Sequence, residues 1–547
     1  MPPFSRLLLA PALALAVGAS ALAAGCAGPR LDADTAVVQF AQEPDSLNPF
    51  LSAMSVTGSV AALFYSGLVS LDDRGQWIPD LATRVPSVAN GDVRLAGGRM
   101  RVTYRLRPNV TWHDGQPFSA RDVAATWKLL VDPKFPALSV AGYERIERVE
   151  TPDPLTAVVV FKQPYAPFLE LLPFVLPAHV ITQGADPAAG AWHRSPMGTG
   201  PYRFTRWVSG DRLVATANPA YFRGKPAIEK LEARFVPSEE SAFQMWRSGA
   251  LDLLQSAPPT EYDYLQSQAP GRVHVTPSTS WEHLIVNMTH PVLKDGRVRT
   301  AIAHLIDRQQ INAKAYGGVF QPAWSDVPTF SWAYNPKVEK RYPFDLAAAG
   351  RSLDAAGWRV GQDGLRAQGG KPLTLRLLTT SDKPSRSRAA QIWRRQWREV
   401  GIQLSLETAP GSVVFGSAKS KGKLASGDFD LALVASISRP DPDATFRWRS
   451  DQVPPEGQNR SRYQSPEMDR LLDAGQRTLD VQARKAIYHR IAERLATDLP
   501  VIPILTWSSI DVTSERLQGF RPNPTLRGNL WNVWEWRLAD PAAPASR

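Results

Sequence analysis

The sequence predicts an α/β protein built from two or more lobes, and three observations carry that expectation. A chain of 547 residues is longer than one hydrophobic core usually holds. Short apolar runs of strand length alternate with segments whose apolar residues recur at helical spacing. The third observation is the stretch 429–446, where an apolar run at 431–435 meets a segment too rich in proline and aspartate to continue a sheet. In open α/β sheets, loops beyond the strand ends are where ligands bind. Asp441 and Asp443 there read either as a carboxylate pair or as a Pro-Asp turn that ends the strand, and the turn is the simpler account.

Taken in order, the chain opens with Arg6, an apolar run at 7–22 and then Ala23-Ala24-Gly25-Cys26. Charge, apolar run and small residues are the parts of a secretory signal. Cys26 is the single cysteine, so it has no internal disulfide partner. The segment resembles a bacterial lipobox, with Ala23 where leucine is preferred. A signal peptide over 1–26 and lipidation at Cys26 are therefore expected. That places the protein in the cell envelope, on the periplasmic or extracytoplasmic face, held to the membrane by lipid.

A strand is expected at 36–41, ended by Glu43-Pro44-Asp45-Ser46, and a helix at 55–68 on Val56, Val60, Leu63 and Phe64. A strand at 101–106 leads to the turn around Asp114-Gly115, and Ser119 is placed as an N-cap with Asp122 as first-turn acid. A strand at 155–162 follows. Gly198 and Gly200 flank Thr199 in a close backbone turn that opens another strand. Further helices are expected at 238–248, 298–306, 347–357, 385–400, 465–475 and 481–495. Strands are expected at 281–288, 373–378, 402–407 and 501–507, with a basic loop at 419–423. Trp393 and Trp397 share a helix face, and core packing accounts for them.

Composition is that of a soluble globular protein, 43% hydrophobic and 21% charged, which excludes a disordered chain. The net charge of +11 raises nucleic acid as a partner. Basic and acidic residues alternate, however, and no aromatic-basic motif stands out, so no nucleic acid is expected. The histidines show no metal-ligand spacing and there is no Gly-x-Ser-x-Gly elbow. The loop at 416–423 misses the phosphate-loop spacing, and Leu424 stands where a hydroxyl belongs. No catalytic residue, metal or cofactor is expected, and the protein does not read as an enzyme.

Several segments then converge in one order: 42–49, 77–82, Tyr104 to Val123, 198–204, 218–226 and 295–307. In this arrangement the chain after Cys26 resembles the family 5 extracellular solute-binding proteins of ABC importers, the oligopeptide-, dipeptide- and nickel-binding group. The resemblance implies an α/β, periplasmic-binding-protein-like clamshell of mixed sheets, with two lobes and an extra third domain. The first lobe would comprise 31–75, 197–290 and 500–547, the extra domain 76–196 and the second lobe 291–499. Lobes would close on a ligand by hinge motion at strands crossing near 285 and 500.

In peptide-binding relatives an acid on the second-lobe rim pairs with the peptide's amino terminus. Alignment on Asp441-Pro442 puts Ser438 at that acid and Ala435 at an accompanying aromatic residue, so both anchors are missing. Ligand-binding candidates by position are Glu43, Asp45, Ser46, Tyr143, Trp281, Glu282, Ser436, Ser438, Arg439 and Asp441. The resemblance implies a monomeric binding protein that delivers a peptide or similar small solute to an ABC permease and its ATPase complex. The rival expectation is an envelope lipoprotein that uses the same clamshell as a chaperone-like or structural partner. For the anchor, Cys26→Ser should abolish lipid labelling and leave unprocessed or released protein; unchanged labelling of that variant would rule the lipobox out.

Overall fold

Two long strands, Val273–Val286 and Val501–Thr513, run antiparallel through the middle of an eleven-stranded mixed sheet. The computed structural model describes residues 32–52, 54–181 and 194–539, so the expected signal segment and Cys26 lie outside the described residues. Among the described residues, no helix is long and apolar enough to cross a membrane.

On one side of the two crossing strands stand Leu431–Ile437, Thr374–Thr380 and Gln403–Ala409. On the other stand Leu253–Leu254, Thr35–Phe40, Lys230–Phe235, Arg212–Ala217 and Tyr202–Val208. Thr35–Phe40 is buried at every position, as expected of a central strand paired in parallel and covered on both faces. The short pair Gln321–Pro322 borders the second crossing strand at Thr506 and Leu505.

The ladder between the crossing strands is not continuous. It runs from Val273 opposite Val512 to Pro277 opposite Ser508, breaks, and resumes at Trp281 opposite Thr506. Packing changes over at that break. Leu284, Val286, Ile502 and Leu505 belong to the core of the second lobe. Ile510 and Val512 pack instead with Val37, Phe243 and Leu254 of the first lobe. The apolar clusters therefore divide within the crossing strands, about the break, and these are the strands that the expected crossing near 285 and 500 falls on or beside. Val501–Thr513 is buried at both of its ends and so contributes to both clusters.

The extra region carries an antiparallel sheet of Val93–Ala96, Arg99–Arg105, Thr156–Phe161 and Ile146–Asp153. Its helix Ala120–Val131 starts with the expected cap: the Ser119 hydroxyl accepts from Arg121 N, and Asp122 accepts from Ser119 N at 2.7 Å. Val102, Phe161 and Leu130 share one continuous apolar cluster with Val38, Leu213 and Leu231, so this region and the first lobe have a common core.

Most expected elements recur with shifted ends, and Trp393 and Trp397 are fully buried and stacked as core. The helix expected at 55–68 is the main departure, since it spans only Ser55–Ala61. The reason is a competing use of its carbonyls. Leu63 O accepts from Tyr202 N at 2.9 Å and Phe64 O from Gly200 N at 2.8 Å, which ties this corner to the Gly198–Gly200 turn. A Cβ on Gly198 would come within 1.8 Å of Phe64 O, so only glycine allows this approach. Gly198→Ala should therefore destabilise the first lobe by about 1–3 kcal/mol, measured as a lower urea midpoint; an unchanged midpoint would mean that the backbones can separate at no cost.

Candidate functional site

The rim of the second lobe begins where Leu431–Ile437 leaves the sheet. Ser436 stands opposite Trp281 and Ala435 opposite Glu282 in the ladder with the first crossing strand. Ser438 N still donates to Thr279 O at 2.8 Å, and its hydroxyl donates to the carbonyl of Asp326 at 2.5 Å. Pro440 and Pro442 then carry the chain out of the ladder.

The two rim carboxylates hold this loop in shape. Asp441 Oδ1 accepts from Asp443 N, and Asp443 Oδ1 accepts from both Thr445 N and the Thr445 hydroxyl. That is the turn reading of the Asp pair. Asp441 is buried and receives both arms of Arg484, at 2.6 and 2.7 Å. Burial opposes the Arg484 charge, yet Asp441 holds the guanidinium above its ordinary value. Asp443 Oδ2 accepts from Gln476 Nε2 at 2.8 Å. Each acid is thus committed to a partner within its own lobe.

A third acid reaches the rim from elsewhere in the chain. Asp326 lies 112 residues from Ser438 and lines one pocket with Ser438, Arg439, Asp441, Asp443 and Arg447. Its carboxylate accepts from Trp448 Nε1 at 2.8 Å and from the Ser325 hydroxyl at 3.4 Å. Among the described residues it has no cationic partner within ion-pair distance, so its charge is balanced only by dipoles and by more distant arginines. Asp326 thus meets Ser438 through its backbone carbonyl, while its carboxylate is held by Trp448 in a residue that lines the same pocket.

The extra region meets the same loop. Glu170 Oε1 accepts from Asp441 N at 2.8 Å, and Arg439 Nε lies 3.5 Å from Glu170 Oε2. Burial pushes the Glu170 carboxyl up to about 7; Arg439 draws it down, whereas Asp441 and Asp443 raise it.

The other expected residues do not line this pocket. Glu43 accepts from Trp207 Nε1 at 2.8 Å and Gly210 N at 2.9 Å, which binds it to a first-lobe hairpin. Asp45 accepts from the Thr57 hydroxyl, and the Ser46 hydroxyl accepts from Asn48 N. Tyr143 is buried, and its oxygen accepts from Leu172 N at 2.9 Å. Trp281 is buried against His283, with ring centroids 4.0 Å apart. Glu282 is fully buried, paired with Arg386 and bonded to Trp507 Nε1. Of the expected residues, Ser438, Arg439 and Asp441 are brought together. Asp326, Glu170 and Arg447 were not legible, because nothing near them in sequence marks their approach to the rim.

Comparison with known proteins agrees with this architecture. The model of the bacterial extracellular solute-binding proteins, family 5 Middle, matches residues 76–455. Protein XP55 of Streptomyces lividans is 30% identical over 89% of this chain and 87% of its own length. A putative ABC transporter peptide-binding protein of Brucella ovis is 28% identical over 95% of this chain and 97% of its own length. The crystal structure of the ABC transporter substrate-binding protein CtaP from Listeria monocytogenes superposes with a TM-score of 0.80. It is 22% identical and covers 92% of this chain and 99% of its own. The strand pair shared by two lobes, the rim at its edge and these matches lead to one conclusion: the chain belongs to the family 5 bacterial extracellular solute-binding proteins.

Proposed function

We propose that this protein is a lipid-anchored receptor that captures a short peptide, or a closely related solute with a cationic amino group, and delivers it to an ABC permease. Family membership supports solute binding outside the cytoplasm and a permease partner. The observation that carries the finer reading is that Asp326 lines the rim pocket together with Ser438 and has no cationic partner within ion-pair distance among the described residues. A buried ammonium needs an opposite charge or a full set of acceptors. Ser438 cannot supply that charge, and Asp441 is already neutralised by Arg484. Asp326 lines the same pocket with its carboxylate held in place by Trp448, so it takes the part of the missing rim acid. The Brucella relative is named as peptide-binding, which favours a peptide amino terminus as the group received.

Glu170 serves in this reading as a latch between the extra region and the second lobe. Its carboxyl moves from an ordinary 4.5 up to about 7 where the loop covers it. The contact between Glu170 and the rim loop thus prefers the protonated acid, and in this reading that contact belongs to the closed form. Closure gains its full benefit below about 4.5 and loses it as pH rises through about 7.

Two outcomes follow. Asp326→Asn should weaken binding of a peptide with a free amino terminus by about ten- to a hundred-fold, measured by calorimetry, while binding of the same peptide N-acetylated stays weak and unchanged. Equal loss for both peptides would remove Asp326 from ammonium recognition. Lowering the pH from about 7.5 to about 5.5 should tighten solute binding by up to about ten-fold in the wild type and far less in Glu170→Gln. Parallel pH profiles for the two proteins would refute the latch.

A further inference from the structure

The second lobe holds a cluster of arginines that solute capture at Asp326 does not use. Arg447 and Arg460 line one narrow pocket with His283, Ser436, Trp448 and Gln458. No carboxylate lines this pocket. Among the described residues, neither guanidinium has an acid within ion-pair distance. Arg447 Nη2 donates only to Ile437 O at 3.3 Å, and the Arg460 side chain makes no hydrogen bond among the described residues. Their other contacts are aromatic: Arg447 lies over Trp281, Phe446 and Trp448, and Arg460 lies 5.3 Å from the Phe415 ring centre.

Burial lowers both arginines from their ordinary value; for Arg447, Asp326 gives partial relief and the Arg460 charge lowers it further. Guanidinium cannot escape such a site by losing its proton. His283 adds no charge. Burial and Arg447 hold it well below its ordinary value, its Nδ1 faces Trp281 O at 3.2 Å, and the Ser436 hydroxyl reaches its Nε2 at 3.5 Å. The pocket thus presents two planar forks and an amide from Gln458, with no anion of the protein's own to meet them. Two unbalanced, half-buried cations are costly unless a counter-charge arrives from outside.

We infer that the pocket between Arg447 and Arg460 binds a small oxyanion, either a carboxylate or a phosphate group. Forked donors match both groups in geometry as well as charge. The inference stands apart from the identity of the captured solute, because Asp326 and Glu170 are not among the lining residues. Since Arg447 also borders the rim pocket, the oxyanion comes either from solution or as the acidic group of the solute itself.

Inorganic phosphate and acetate, titrated into dialysed protein at ionic strength matched with sodium chloride, provide the test. Both should raise the thermal midpoint saturably, and Arg460→Gln should weaken that binding by about ten-fold or more. In chloride alone Arg460→Gln should be at least as stable as the wild type, because one of two opposed charges is gone. A variant that melts lower in chloride and still binds phosphate as the wild type does would assign Arg460 to aromatic packing and overturn the proposal. Absence of saturable binding to the wild type would overturn it as well. Competition between phosphate and an acidic peptide, but not its amide, would identify the solute's own acid as the occupant, whereas independent binding would identify a free oxyanion.

Discussion

Everything in this structure hangs on the pairing of Val273–Val286 with Val501–Thr513. Strands of both lobes are joined to this pair by backbone hydrogen bonds, so the two halves of the clamshell are parts of one sheet. The side chains at either end of the pair are sealed in different cores. Between them the ladder is interrupted from Pro277 to Trp281. The two crossing strands are not bonded to each other there, and the stretch is held instead from the rim side, where Thr279 O accepts from Ser438 N and Ser280 pairs with Ile437.

The rim illustrates how buried charge is used to hold a loop in place. Asp441 and Arg484 form a bidentate pair that fixes the loop against its own lobe. A pair of this kind adds little net stability, but removing one partner leaves a buried charge and is severe. Glu282 and Arg386 play the same part beneath the strand. With these acids committed, the rim is left with Asp326, whose charge is balanced mainly by dipoles, and with the half-exposed Arg439. In the proposed reading it is this arrangement of charge that would sort one solute from another.

Glu170 and the arginine pocket place two further electrostatic devices around this rim. Glu170 comes from the extra region, so its environment depends on how that region meets the second lobe. Arg447 and Arg460 belong to the second lobe alone and keep their charges whatever the lobes do. In the proposed reading, titration would be coupled to that contact in the first device and not in the second.

The sequence alone determined what is encoded within a few residues. It located the Ser119–Asp122 cap, the Asp-Gly turn after Trp112, the core face with Trp393 and Trp397, and the Pro-Asp rim after 431–435. Capping, turn chemistry and periodicity depend on near neighbours, so local pattern suffices for them. The family order of motifs added the two-lobed architecture. Only the tertiary structure stopped the first helix at Ala61, because its next carbonyls serve Gly200 and Tyr202 far along the chain. Only the fold brought Asp326 to Ser438, or Glu170 to Asp441 across 271 residues, and gave Glu282 to Arg386 instead of to the pocket. Those partnerships follow from how separate elements pack, and the spacing of residues along the chain carries no record of it.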